Sequence, residues 1–279
     1  MRPPPVFAKR LLSTYSKKYS LKLNVKGEML SGYFSVRLAL ESDQRTFHKI
    51  FFNPNSTRVA EDIIDIAQSK DIICEETSWK TLDQLSRYSS HKGVCADVSP
   101  IVPQAGDHLA NETASQNYQL WLLMASIGDP QNMGAIIRSA YFLGVDKIFT
   151  CSPHDSSQAS SALTPSVSRA SAGTLEIFVP KVVYRPEVFL ETLRDQGWDV
   201  IGSHGPNSNS QEVRNVDVNR VLIVGNEGDG LPTSISKYCN DFMTIQPHRQ
   251  LHDCVDSLNV SVATALLLQQ LRSTRSPSP

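Results

Sequence analysis

The sequence predicts an α/β protein whose larger domain is built on a mainly parallel sheet covered by helices on both faces, with a small α/β unit ahead of it. Two observations predict this. From residue 119 onward the apolar runs QLWLLMA, KIFTC, LEIFVPKVV, WDVIGS, VLIVGN and FMTIQ are separated by mostly helical segments, and strands joined through helices form parallel sheets. The runs are also continuously apolar rather than alternating, as strands buried on both faces must be.

The same alternation appears on a smaller scale over residues 27–97. A helix SGYFSVRLALES, a strand FHKIFF, a helix TRVAEDIIDIAQ, a strand DIICEE, a helix KTLDQLSRY and a strand GVCADV follow one another. The next stretch, SPIVPQAGDHLANETASQN, is rich in Pro, Gly, Ser and Asn and lacks apolar periodicity, so residues 98–117 read as a linker to a second domain over residues 118–273. Within that domain SPHDSSQASSALTP is polar and serine-rich, an exposed loop able to face a substrate. Residues 274–279 read as a disordered tail.

Composition narrows the class. The 279 residues are 40% hydrophobic and 20% charged, ordinary values for a globular chain. No segment approaches the roughly 18 uninterrupted apolar residues of a membrane span. The five cysteines are scattered at 74, 95, 151, 239 and 254 without a Cys-x-x-Cys pair, which predicts neither a disulfide scaffold nor a metal site. Charge is uneven: residues 1–26 carry seven Lys and Arg and no acid. Such a basic, serine-containing arm fits a mitochondrial transit peptide, the other reading being a disordered arm that touches nucleic acid. Removing those seven leaves 20 basic against 28 acidic residues, so RNA binding by the remainder would rely on local patches.

Three segments carry polar residues where packing alone would not demand them. In GDPQNMGAIIRSA, residues 128–140, Asp129 caps a helix with Pro130 at its first position. Met133, Ile136, Ile137 and Ala140 form the buried face, and Asn132 and Arg138 stand apart from it. Singly, Asn132 reads as a first-turn polar residue and Arg138 as a solvated charge. The second segment, VLIVGNEGDGLP at 221–232, is an apolar strand running into Gly225, Gly228 and Gly230 around two acids. It matches neither the Walker loop nor the dinucleotide fingerprint, yet it predicts a strand-end crevice of the kind that binds ligands in open α/β sheets. The third, DSLNVSVATALLLQQL at 256–271, is a helix apolar almost all round, implying burial on more than one side or against a second subunit. Ser257 reads as its cap and Asn259 as a first-turn residue.

In this order, N-x5-R in a helix opener, NEGDG after a strand and SLNVSVA opening the last helix resemble the three motifs of the SpoU/TrmH family of RNA ribose 2′-O-methyltransferases, in the SPOUT superfamily. The unit at 27–97 is similar to the ribosomal-protein-like RNA-binding domain of many members. The basic leader and RSAYFLGVDKIFTCSP…SALTPSVSRASAGTLE most resemble the mitochondrial rRNA guanosine methyltransferases of the family. One departure is the run PHRQLHDCVD before Ser257, longer than in many bacterial relatives. The resemblance implies S-adenosylmethionine as methyl donor, RNA (mitochondrial large-subunit rRNA) as substrate, a C-terminal trefoil knot and a homodimer, in the mitochondrial matrix. By motif position it implies a catalytic set of Arg138, Asn132, Glu227, Ser257 and Asn259, with Gly225, Ile245 and Leu258 meeting the cofactor through main-chain groups.

A guanidinium stays protonated to about pH 12 and above, so Arg138 reads as a fixed donor to the developing alkoxide and the adjacent phosphate rather than as a base. Glu227 is a candidate proton acceptor or, equally, the organiser of its glycine turn. Asn132, Ser257 and Asn259 would orient Arg138, the ribose or the turn. A catalytically silent RNA-binding assembly factor on the same fold is the main alternative. A nucleotide- or nicotinamide-dependent enzyme is disfavoured by the missing phosphate-binding fingerprints.

Overall fold

The structure, a computed structural model, describes residues 25–56, 60–111, 118–151, 163–205, 218–226, 230–252 and 257–273. The basic arm up to residue 24, Glu227, residues 152–162 of the serine-rich loop, residues 253–256 and the tail from 274 lie outside the described residues. Among the described residues no helix is long and apolar enough to cross a membrane.

The small domain has a four-stranded sheet in the order β1-β4-β2-β3. Its strands are β1 (Glu28–Ser31), β2 (Phe47–Phe52), β3 (Cys74–Glu76) and β4 (Val94–Val98). β4 runs antiparallel to both β1 and β2, and β2 is parallel to β3. Helix α1 (Tyr33–Ser42) buries Val36, Ala39 and Leu40, at helical spacing, against Leu30, Ile50 and Val94 of the sheet. A π-helical turn (Ala60–Ile64) leads into α2 (Asp65–Ser69), and α3 (Trp79–Leu85) starts where the Ser78 hydroxyl accepts from Thr81 N at 3.2 Å.

The larger domain holds a six-stranded sheet, β10-β8-β9-β5-β6-β7, in which every neighbouring pair is parallel. The strands are β5 (Leu120–Ala125), β6 (Lys147–Cys151), β7 (Lys181–Val183), β8 (Asp199–Ser203), β9 (Arg220–Val224) and β10 (Asp241–Met243). The helices are α4 (Pro130–Phe142), α5 (Pro165–Ala170), α6 (Pro186–Asp195), α7 (Thr233–Ser236) and α8 (Val260–Ser273). β5 shows why the apolar runs are continuous. Leu120, Leu122 and Met124 enter one core with α4 and α8, whereas Trp121, Leu123 and Ala125 enter the other with α6. A strand with a core on each face has no position to spare for a polar side chain.

Three expectations change. LEIFVPKVV is not one strand: Thr174–Glu176 is a 3-10 turn and only Lys181–Val183 is strand. Gly173, at φ +83°, turns the chain there, and the Glu176 carboxylate is buried in an ion pair. Much of the expected linker is folded onto the larger domain. Gln104 and Gly106 exchange backbone hydrogen bonds with Val182, and Leu109 and Ala110 are buried under α6. The Asp107 carboxylate accepts from Tyr184 N and Arg185 N, covering the approach to α6. Finally, α8 begins at Val260, and its cap is Asn259 rather than Ser257. The Asn259 side chain accepts from Ser261 N at 3.0 Å, while its carbonyl accepts from Ala263 N.

The two domains are joined by a buried ion pair. Arg45 in the small domain donates through Nε and Nη2 to the Glu176 carboxylate at 2.8 and 3.2 Å, with both side chains fully buried. Arg45 Nη1 also reaches Glu28 at 3.1 Å and the Ser99 carbonyl at 2.9 Å. Beside it the backbones close in, since a Cβ on Gly173 would fall 2.6 Å from the Phe34 carbonyl oxygen.

Candidate active site

The strand order locates a crevice before any residue is considered. The chain proceeds outward from β5 through β6 to β7, then crosses to the opposite side for β8 and returns with β9 between β8 and β5. Connections leaving the carboxyl ends of β5 and β9 therefore diverge, and such a switch point is where open α/β sheets bind ligands. At those two ends stand Ser126 and Gly225.

Gly225 is required by a close approach. A Cβ there would lie 2.2 Å from the Gly230 carbonyl oxygen, because the turn folds back on itself. Asn226 N donates to Gly230 O at 3.2 Å and Gly230 N returns the bond at 3.0 Å, with Gly230 at φ +66°. Among the described residues a Cβ on Gly230 would meet nothing within 4 Å. Across the crevice, the Asn226 side-chain amide reaches the Ser126 carbonyl at 3.5 Å. Ser126 has φ +61°, a left-handed conformation that a serine adopts at a cost and that recurs at functional sites. Residue order gives no sign of that conformation, and Ser126 was not among the expected site residues. On the adjacent strand, burial pushes the Cys151 thiol up to about 11, so its sulfur is a packed neighbour of the crevice and not a nucleophile.

α4 starts at this edge as expected. The Asp129 carboxylate accepts from Gln131 N and Asn132 N at 3.1 and 3.3 Å, and Pro130 takes the first position. Met133, Gly134, Ile136, Ile137 and Ala140 are buried, and Arg138 lies on the exposed face with Tyr141 and Phe142. Among the described residues the Arg138 guanidinium has no hydrogen bond or ion pair.

α8 lies beside α4 and parallel to it, bonded at both ends. Asn259 Nδ2 donates to Asn132 Oδ1 at 2.9 Å where the helices begin, and Arg272 Nε donates to the Leu143 carbonyl at 3.0 Å where they end. The first and third sequence segments are thus brought together at Asn132 and Asn259. Ser257 and Leu258 are exposed in the chain leading to α8, and Ile245 is partly buried just beyond β10, on the core shared by α4 and α8. Glu227 follows Asn226 in the sequence and lies outside the described residues.

Among the described residues the donors at the crevice are neutral main-chain and amide groups, and Arg138 is carried by the helix that starts at its edge. They suit a nucleoside-like ligand without phosphates, and a cation beside it able to meet developing negative charge.

Comparison with known proteins identifies the class as an RNA methyltransferase. Residues 119–269 match the model of the SpoU rRNA Methylase family, and residues 29–104 match RNA 2′-O ribose methyltransferase substrate binding. The chain belongs to the SpoU rRNA methylase family. It is 33% identical over 267 residues to the human protein rRNA methyltransferase 1, mitochondrial, covering 90% of this chain and 74% of that one. It is 31% identical to the protein of the same description from Schizosaccharomyces pombe, covering 88% and 89%. Among solved structures, an AdoMet-bound rRNA methyltransferase from Sinorhizobium meliloti superposes with a TM-score of 0.67 at 21% identity, covering 88% of this chain and 87% of that one. The SpoU methyltransferase AviRb from Streptomyces viridochromogenes, in complex with AdoMet, gives 0.61 at 20%, covering 88% and 89%. These likenesses establish the six-stranded SPOUT-type α/β fold.

Proposed function

We propose that the protein transfers the methyl group of S-adenosylmethionine to the 2′-hydroxyl of a guanosine ribose in mitochondrial large-subunit rRNA, within the mitochondrial matrix. The observation that carries the reading is the Asn132–Asn259 hydrogen bond, which joins the first and third motifs beside the β5/β9 switch point. Human and fungal relatives described as mitochondrial rRNA methyltransferases, together with the basic arm of this chain, support the substrate and the compartment.

The turn at Gly225–Gly230, Ile245 and Leu258 would hold the cofactor through main-chain groups, and the bound sulfonium supplies an electrophilic methyl. Every other part of the task falls to this chain's side chains. Arg138 holds the ribose hydroxyl and neighbouring phosphate and stabilises the alkoxide as its proton leaves. Glu227, which follows Asn226 in the sequence, takes that proton or organises its glycine turn. Asn132 and Asn259 hold one another, and through the starts of α4 and α8 they keep Arg138 and the cofactor turn in register. The C-terminal segment is threaded as a trefoil knot. The exposed apolar groups of α4 and α8, namely Tyr141, Phe142, Val262 and Leu266, form the face on which a second copy packs.

The test is methylation of a mitochondrial large-subunit rRNA transcript by the full chain with labelled S-adenosylmethionine, followed by mapping of the ribose methyl. A label at one guanosine 2′-oxygen is the expected result. A folded protein that binds RNA but neither S-adenosylmethionine nor label would be a silent assembly factor, and the proposal would fall.

A further inference from the structure

Between the two domains lies a cleft of about 550 Å³, lined by none of the catalytic candidates. Phe34, Ser35, Ser56, Ser90 and Lys92 form its wall on the small domain, and Arg169 of α5 faces them from the larger one. Among the described residues Arg169 is held by two hydroxyls, Ser31 Oγ at 3.3 Å and Ser166 Oγ at 3.5 Å. Among the described residues neither Arg169 nor Lys92 has a carboxylate within ion-pair distance. The Phe34 ring is 52% exposed and braced edge-on by Tyr33, with centroids 5.2 Å apart. The first turn of α1 also lines the cleft, and its cap Gly32 supplies no side-chain acceptor, so the positive end of that helix adds to the two cations.

We propose that this interdomain cleft seats one nucleotide of the single-stranded RNA substrate, with a phosphate between Arg169 and Lys92 and the base against Phe34. The proposal rests on the RNA methyltransferase reading and adds a subsite to it. Cations without acidic partners beside an exposed aromatic ring are what single-stranded RNA requires, charge for the backbone and a platform for the base. Position supports the assignment. A Cβ on Gly134 would fall 2.5 Å from the Ala170 Cβ, so α4 and α5 are in direct contact. The helix that supplies Arg169 to the cleft thus packs directly on the helix that carries Asn132 and Arg138. The buried Arg45–Glu176 pair holds the two walls together, so the cleft exists before RNA arrives.

The test titrates the full chain with fluorescently labelled oligouridylate across a salt series, with thermal melting to confirm folding. Arg169→Ala with Lys92→Ala should weaken binding and reduce the slope of log affinity against log salt by about 0.7, the contribution of one single-strand phosphate. Phe34→Ala should weaken binding about tenfold with the slope unchanged, and Phe34→Trp should keep the affinity. Arg169→Gln, which retains hydrogen bonding to the serines, replaces Arg169→Ala if the latter melts early. Wild-type affinity and slope in well-folded Arg169→Gln/Lys92→Ala and Phe34→Ala proteins would overturn the assignment. So would tighter binding of polyglutamate than of RNA, insensitive to Phe34→Ala. If the wild-type chain methylates RNA while these variants match it, only the cleft falls; if the wild type binds no S-adenosylmethionine by calorimetry, the methyltransferase reading falls.

Discussion

Asn259 donates a hydrogen bond to Asn132 at 2.9 Å across 127 positions of sequence, and the same Asn259 caps the last helix through Ser261 N. One side chain therefore starts a helix and ties it to another. These roles are separable. Asn259→Ser or Asn259→Asp retains a capping oxygen but loses the amide donor to Asn132. Both variants should melt near the wild type while methyl transfer falls, whereas Asn259→Ala should also lose about 1 kcal/mol of stability. Thermal melting alongside single-turnover methylation checks this; full turnover in Asn259→Asp would leave Asn259 with a capping role alone.

Arg138 is exposed and without a partner in the fold among the described residues, so its removal should cost chemistry and not stability. Arg138→Ala should lower methyl transfer on the order of 10²-fold or more, with cofactor affinity within a few-fold by calorimetry. Arg138→Lys should rescue poorly, since an ammonium lacks the planar fork that spans hydroxyl and phosphate. Near-normal turnover in a folded Arg138→Ala protein would return the residue to the surface charges.

The dimer face can be tested at residues that structure, and not sequence, selects. Leu267 and Leu271 lie in the core, so a Glu at either position should unfold the chain. Phe142 is 87% exposed and Leu266 48%. Phe142→Glu and Leu266→Glu should give folded monomers by light scattering, and a monomeric wild type at micromolar concentration would end the idea.

Glu176→Ala should destabilise strongly, by about 3–5 kcal/mol, because it strips a buried guanidinium of its main partner. Replacing Arg45 and Glu176 together by Met should cost much less, since no buried charge is then left unpaired. Denaturant midpoints of the single and double variants compare the two directly.

The buried thiols set an alkaline limit. Burial raises Cys95 and Cys239 to about 12 and Cys151 to about 11. In the unfolded chain these thiols lose protons from about pH 8.5 upward, so the unfolded state binds fewer protons there and stability falls with rising pH. Their contribution is intact below that pH and disappears as pH climbs through 11 to 12. A thiol reagent at pH 8 should label the buried Cys95 and Cys151 only in denaturant, and melting temperatures should decline on the alkaline side; rapid labelling of Cys151 in the native protein would contradict the burial.

Sequence alone determined the elements whose cause is local or periodic. The apolar runs of β5, β6, β8 and β9, the Asp129–Pro130 start of α4 and the small-domain strands β2, β3 and β4 are where the pattern puts them, because burial on two faces and capping leave their mark on neighbouring residues, whereas the short strand β1 (Glu28–Ser31) was not in the pattern. The identities of Asn132, Arg138, Gly225 and Asn259 were legible as a set only through their order in three motifs. Tertiary structure alone decided what depends on residues far apart in the chain. It made Asn259 the cap instead of Ser257, left Ser126 in a left-handed conformation beside Asn226, and folded residues 104–111 against Val182. It also buried Arg45 on Glu176, although each is an ordinary charged residue in its own segment. No local pattern records a partner 131 positions away; the energy of such a pair exists only once both domains have excluded water from it.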